Sequence, residues 1–164
     1  NATEINQYQN DVFGFMIDII SAHNGIINQF MGDGFLASFG APASPGNHSQ
    51  NAVNASLEIL KELEDRCSSG RLIDTKIGIG LHTGEIVTGN VGTAQRRQYS
   101  VTGNTVILAS RIEQLNKQFK SELLLSKEVI NDLNDIENYT FESLGLIQLK
   151  GRTEPVEVIK MASS

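Results

Sequence analysis

The chain holds a single cysteine, Cys67, among 164 residues. No intrachain disulfide can form, which agrees with a reducing, cytoplasmic setting. No apolar run approaches the roughly 18–20 residues needed to cross a bilayer, and no charged-then-apolar leader precedes the first helical segment. Membrane contact by this stretch is therefore not expected. Basic residues are few: 13 Lys and Arg face 19 Asp and Glu, for a formal net charge of −6. That balance argues against a nucleic-acid surface, which needs clustered cations. A polyphosphate would be held locally, by a metal and a few cations such as Arg96-Arg97 or Lys150-Gly151-Arg152. Several catalytic signatures are missing as well. There is no GxxxxGK[ST] phosphate loop and no nucleophile elbow. His23, His48 and His82 lack metal-ligand spacing. Repeats, low-complexity tracts and linkers are also absent. The chain does not open on methionine. Asn1-Ala2 reads as a candidate cloning scar, and the whole as part of something longer.

What is present suits one domain with its own core, residues 1–164, at 40% hydrophobic and 20% charged. Residues 4–23 carry Ile5, Tyr8, Val12, Phe15, Met16, Ile19 and Ile20 at helical spacing, stopped by Asn24-Gly25. Two β-type runs, Ile26 to Met31 and Phe35 to Phe39, flank Gly32-Asp33-Gly34, a strong hairpin signal. A Pro-containing loop over 40–46 leads to a second helix from Asn47 to about Cys67, with Val53, Leu57, Leu60 and Leu63 inward. Lys76 to His82 and Glu85 to Val91 read as a second hairpin about Thr83-Gly84. Beyond a polar loop, Tyr99 to Thr102 is extended, and Asn104 or Thr105 can cap a third helix to about Lys117. Leu123-Leu124-Leu125 reads as a buried strand, Ser126 as the cap of a short helix to Leu133, and Leu146–Leu149 pairs with Val156–Met161. The expected fold is α+β, with helices packed on a mostly antiparallel sheet. One further strand ahead of residue 1 would make it a ferredoxin-like sandwich.

Three features carry candidate chemistry. Asp33, in a two-glycine turn, can ligate a hard cation while bare backbone at Gly32 and Gly34 lets phosphate approach; Asp-Gly is equally what a type I′ turn wants. The series Gly78, Gly80, Gly84, Gly89 and Gly92 marks close approach of a ligand or another backbone, or a bend and bulge. Arg111, one turn from Ile107 on the same helix face, can grip a phosphate or pair with Glu113. Lys150 and Arg152 reach a polyphosphate or form a charged turn.

Taken in order, these stretches resemble the class III adenylyl and guanylyl cyclase catalytic domain. The match runs through Phe30-Met31-Gly32-Asp33-Gly34-Phe35-Leu36-Ala37-Ser38-Phe39-Gly40-Ala41-Pro42, then Ile77-Gly78-Ile79-Gly80-Leu81-His82-Thr83-Gly84 to Gly92. It continues in Tyr99-Ser100-Val101-Thr102-Gly103-Asn104-Thr105-Val106-Ile107-Leu108-Ala109-Ser110-Arg111 and ends in Leu149-Lys150-Gly151-Arg152 with Pro155-Val156. The resemblance implies conversion of ATP or GTP to a 3′,5′-cyclic nucleotide and pyrophosphate, assisted by two divalent ions (Mg²⁺ or Mn²⁺), in a homodimer with shared sites. It implies Asp33 as a metal ligand, Arg111 on the α-phosphate, and Lys150 on the terminal phosphates. Arg96 would be a further phosphate ligand, and Gln29 and Ser100 would sit at the base-reading positions. Three departures stand out. The family's first metal aspartate belongs to a strand ahead of the first helix, outside this sequence, so residues 1–164 by themselves are expected to be inactive or very weak. Gln29 and Ser100 replace residues that discriminate the base partly by charge. Ile107 stands where the family has a transition-state Asn. A catalytically degenerate domain that dimerises or binds nucleotide as a regulatory module is the competing expectation.

Overall fold

The computed structural model describes residues 2–41, 46–91, 98–150 and 152–162, and their side chains apart from those at 2, 4–9, 90–91 and 98–101. The first helix, α1 (Ala2–Ala22), forms where the apolar stripe requires it. Val12, Phe15, Met16 and Ile20 are buried and pack with Ile59 and Leu63 of α2 (His48–Ser68). Arg66 of α2 lies over the Phe15 ring, 4.5 Å from its centroid. Asn47 caps α2, its side-chain oxygen accepting from the Gln50 N–H at 3.0 Å. That bond satisfies one of the donors a helix start leaves open.

Between these helices, β1 (Gly25–Met31) and β2 (Gly34–Phe39) pair antiparallel. Met31 lies opposite Gly34, so Gly32 and Asp33 are the two central turn residues. Gly32 has φ +52° while Asp33 stays negative. This is the pattern of a type II′ turn, with glycine at the first central position, rather than the type I′ turn that Asp-Gly predicts. A register shift between Ile27 and Gln29 leaves Asn28 as an extra residue, buried at 3% exposure. The bulge re-phases the strand: Gln29, Phe30 and Met31 are all exposed.

The second expected hairpin does not form. β3 (Ile79–Leu81) pairs in parallel with β6 (Leu123–Ser126), and β4 (Val87–Val91) pairs antiparallel with β5 (Gln98–Thr102). The chain between β3 and β4 is instead tied to the next helix, where Thr105 Oγ1 donates to the Glu85 carbonyl at 2.7 Å. β6 is buried along its whole length, so its neighbours must cover it on both sides. β3 is one, and β8 (Val156–Ala162) is the other, with β7 (Thr140–Ile147) outside it. The sheet order is β3-β6-β8-β7, and β3–β6 is the parallel pair among the described strands. The closing strand pair is longer than sequence predicted, since β7 begins at Thr140.

Helix α3 (Asn104–Phe119) buries Leu108 and Ile112 against Leu124, Leu149, Val156 and Val158. Each fully buried aliphatic side chain contributes about 1.5–3 kcal/mol. Gly80 of β3 meets α3 so closely that a Cβ would lie 2.4 Å from the Glu113 nitrogen and 2.7 Å from the Ala109 oxygen. The short α4 (Lys127–Asn131) follows β6 directly. Ser126 stands at its N-cap without capping it, because its hydroxyl is hydrogen-bonded to His82. The architecture is the expected α+β arrangement, helices on mostly antiparallel strands. No helix of the described residues is long and apolar enough to cross a membrane.

Candidate active site

Asp33 stands at the exposed tip of the β1–β2 hairpin. A Cβ added at Gly32 would meet nothing within 4 Å, so the backbone beside the carboxylate is open to a ligand. The hairpin is fastened to α1 by three rings. Phe13 lies 5.6 Å from Phe35 edge-on and 6.3 Å from Phe30, and Phe30 lies 6.0 Å from Phe35. Gln29 is exposed on β1, which runs beside β5, the strand of Ser100. Ser100 pairs with Gly89 in the β4–β5 ladder, and its side chain lies outside the described set. Arg96 lies outside the described residues altogether.

On α3, Ile107 and Arg111 are one turn apart and share a face. Ile107 is 48% exposed, an isoleucine presented to solvent on a helix that buries its neighbours Leu108 and Ile112. Arg111 is half-buried, and its Nε is enclosed with no hydrogen-bond acceptor. A buried guanidinium N–H without an acceptor is costly, and an anion supplies what it lacks. Lys150 is exposed on the turn between β7 and β8, next to Leu149, which packs on Leu108 and Ile112 of α3. The Lys150 turn thus packs, through Leu149, on the helix that carries Arg111. No hydrogen bond or ion pair joins Asp33, Arg111 and Lys150 among the described residues.

Sequence reasoning left Glu113 as a mere partner for Arg111, and the structure gives it another neighbour. Burial, and then the nearby Asp33 charge, push the Glu113 carboxyl above its ordinary value, while Lys117 opposes the shift. The exposed Asp33 carboxylate is of the kind that holds a hard divalent cation with phosphate and water oxygens completing its shell. No set of three or more His, Cys, Asp or Glu converges among the described residues. A second group escaped sequence reasoning because residues far apart in the chain build it. His82 Nδ1 is hydrogen-bonded to Ser126 Oγ at 2.8 Å and lies 3.6 Å from Glu128 Oε2; Glu128 Oε1 in turn faces the Arg152 guanidinium at 3.5 Å. The parallel register Leu81–Leu125 sets His82 beside Ser126.

One α+β domain thus carries an exposed acid at a glycine hairpin and, on α3, an arginine whose enclosed Nε lacks an acceptor. The profile of the adenylate and guanylate cyclase catalytic domain matches residues 1–161, and the chain belongs to that family. Adenylate cyclase 1 of Rhizobium meliloti (strain 1021) is 32% identical over 154 residues, which cover 92% of this chain and 23% of that protein. The chain therefore spans about a quarter of that relative's length. Among solved structures, the guanylyl cyclase Cya2 superposes with a TM-score of 0.80 at 32% identity, covering 99% of this chain and 82% of that one. The adenylyl cyclase CyaB from P. aeruginosa superposes with a TM-score of 0.81 at 25% identity, covering 100% and 85%.

Proposed function

We propose that residues 1–164 form part of the catalytic domain of a cytoplasmic nucleotide cyclase that converts ATP or GTP to its 3′,5′-cyclic nucleotide, in signal transduction. The ribose 3′-oxygen bonds to the α-phosphorus, the bond to the bridging oxygen breaks, and pyrophosphate leaves with that electron pair; the hydroxyl proton passes to solvent. The observation that carries the reading is the enclosed Arg111 Nε without an acceptor, on the helix face that leads from Ile107. Arg111 donates to the α-phosphate as charge builds there, a contribution made by positioning and preorganised charge. Asp33 would hold Mg²⁺ or Mn²⁺, which would supply charge neutralisation to the phosphates. Open backbone at Gly32 and Gly34 leaves room for the phosphate chain. Lys150 and Arg96 reach the outer phosphates. Gln29 and Ser100 read the base; each donates and accepts hydrogen bonds, so neither dictates adenine or guanine by charge. The working form is a homodimer whose two sites each draw on both copies.

The test is product formation by the full-length protein with Mn²⁺ and ATP or GTP. Cyclic nucleotide and pyrophosphate should appear and vanish in Asp33→Ala; no product above that control overturns the reading. The exposed Ile107 favours a second reading, a domain that binds nucleotide and dimerises without turnover. An oxyanion donor removed from such a site typically costs roughly 10²–10³ in rate. Nucleotide binding with no product, in both the native protein and Ile107→Asn, would select the regulatory reading.

A further inference from the structure

The turn that carries Lys150 is fastened on both sides. Ahead of it, Leu149 is 5% exposed and packs on α3. Behind it, the Arg152 N–H donates to the Leu149 carbonyl at 3.3 Å, and the Gln148 side-chain amide donates to the Arg152 carbonyl at 2.7 Å. The Arg152 side chain then reaches out of the turn to Glu128 Oε1 at 3.5 Å. Glu128 is itself constrained: its Oε2 is enclosed with no hydrogen-bond donor, 3.6 Å from the 5%-exposed side chain of His82. His82 cannot yield, because Ser126, fully buried at the end of β6, holds its Nδ1.

We infer that Glu128, acting through Arg152, positions the turn that presents Lys150 to the triphosphate, with His82 as the buried stop behind it. The inference rests on the triphosphate role proposed for Lys150. Glu128 and Arg152 are positioning residues, since neither touches the nucleotide. The charged and titratable groups that face His82 are Glu128 from α4 and Arg152 from the turn; Ser126 from β6 is its uncharged partner. Burial holds His82 neutral near neutral pH, against the pull of Glu128. In acid the imidazolium competes with Arg152 for the same carboxylate and loosens the turn.

The experiment uses the full-length protein with Mn²⁺ and ATP or GTP, and hydrogen exchange without nucleotide. Glu128→Gln keeps the side-chain shape and removes the charge. It should raise KM about 2- to 5-fold, the range one half-exposed ion pair spans, with kcat within about twofold. Amide exchange at 148–152 should quicken. In a Lys150→Ala background the same substitution should add nothing to KM, because the effect passes through Lys150. In the native protein KM should rise as pH falls through the lowered His82 value, below the ordinary imidazole range, and His82→Gln should flatten that rise. Unchanged exchange in Glu128→Gln, or an equal KM rise in the Lys150→Ala background, overturns the inference. It also falls if Lys150→Ala leaves KM unchanged. Because exchange is read without turnover, a failure of the cyclase reading shows in the product assay alone and is distinguishable from a failure of the clamp.

Discussion

At the end of the β1–β2 hairpin, Phe30 and Met31 stand 58% and 45% exposed beside Asp33, whereas Leu123, Leu124 and Leu125 in the middle of the four-stranded sheet expose nothing. Both regions are strands of similar apolar composition, and the sheet around each decides the outcome. β6 has neighbours on both edges and α3 across its face, so its side chains have nowhere else to go. The hairpin has one ladder and a helix fastened by three rings, and its bulge at Asn28 turns the last residues outward. One region supplies stability with no reactive group in it. The other supplies a carboxylate, open backbone and exposed apolar surface at some cost in burial. Substitutions should therefore separate the two properties.

The largest effect should come from the sheet. Leu124→Ala is expected to lose about 2–5 kcal/mol of unfolding free energy, read from urea titration. Next, Arg111→Ala in the full-length protein should lower kcat by about 10²–10³ while the urea midpoint barely moves; a matching loss of stability would mean that Arg111 belongs with the core. Phe30→Ala should cost only about 1 kcal/mol, the scale of one aromatic contact. A loss as large as that of Leu124→Ala would erase the contrast between the regions. The smallest effects are those of pH, and the two titrating groups run in opposite directions. His82 has a lowered folded value, so its contribution is complete above the ordinary imidazole range and is lost as pH falls through the lowered value. Glu113 has a raised folded value, so its contribution is complete at acid pH and is lost as pH rises through that value. Thermal unfolding should show His82→Gln flattening the acid limb, and Glu113→Gln slightly raising the midpoint at neutral pH.

Local chemistry made much of this visible in the sequence. The apolar stripes gave α1 and α2 to within two residues, Asn47 announced its cap, and Gly32-Asp33-Gly34 announced the hairpin. Failures began where a long-range partner overrode a local pattern. Residues 76–91 alternate as a hairpin would, yet β6, far downstream, takes β3 as its parallel neighbour. Ser126 has the right residue type and place for a cap, but a buried histidine claims its hydroxyl. The candidate site divides in the same way. Asp33, Gln29, Ile107 and Arg111 could be nominated from sequence because each lies within one short ordered stretch. Glu113 near Asp33, and the group of His82, Ser126, Glu128 and Arg152, exist only once separate segments have been brought together.

Gly80 contributes by lacking an atom. With a Cβ position 2.4 Å from the Glu113 nitrogen, the next-smallest residue is already too large. Most core positions can drift through a series of sizes while their surroundings adapt; this one has no intermediate step. The spacing it sets is that between β3 and the stretch of helix that carries Arg111. A single methyl at residue 80 would therefore act as a wedge, forcing strand and helix apart and carrying Arg111 away with the helix.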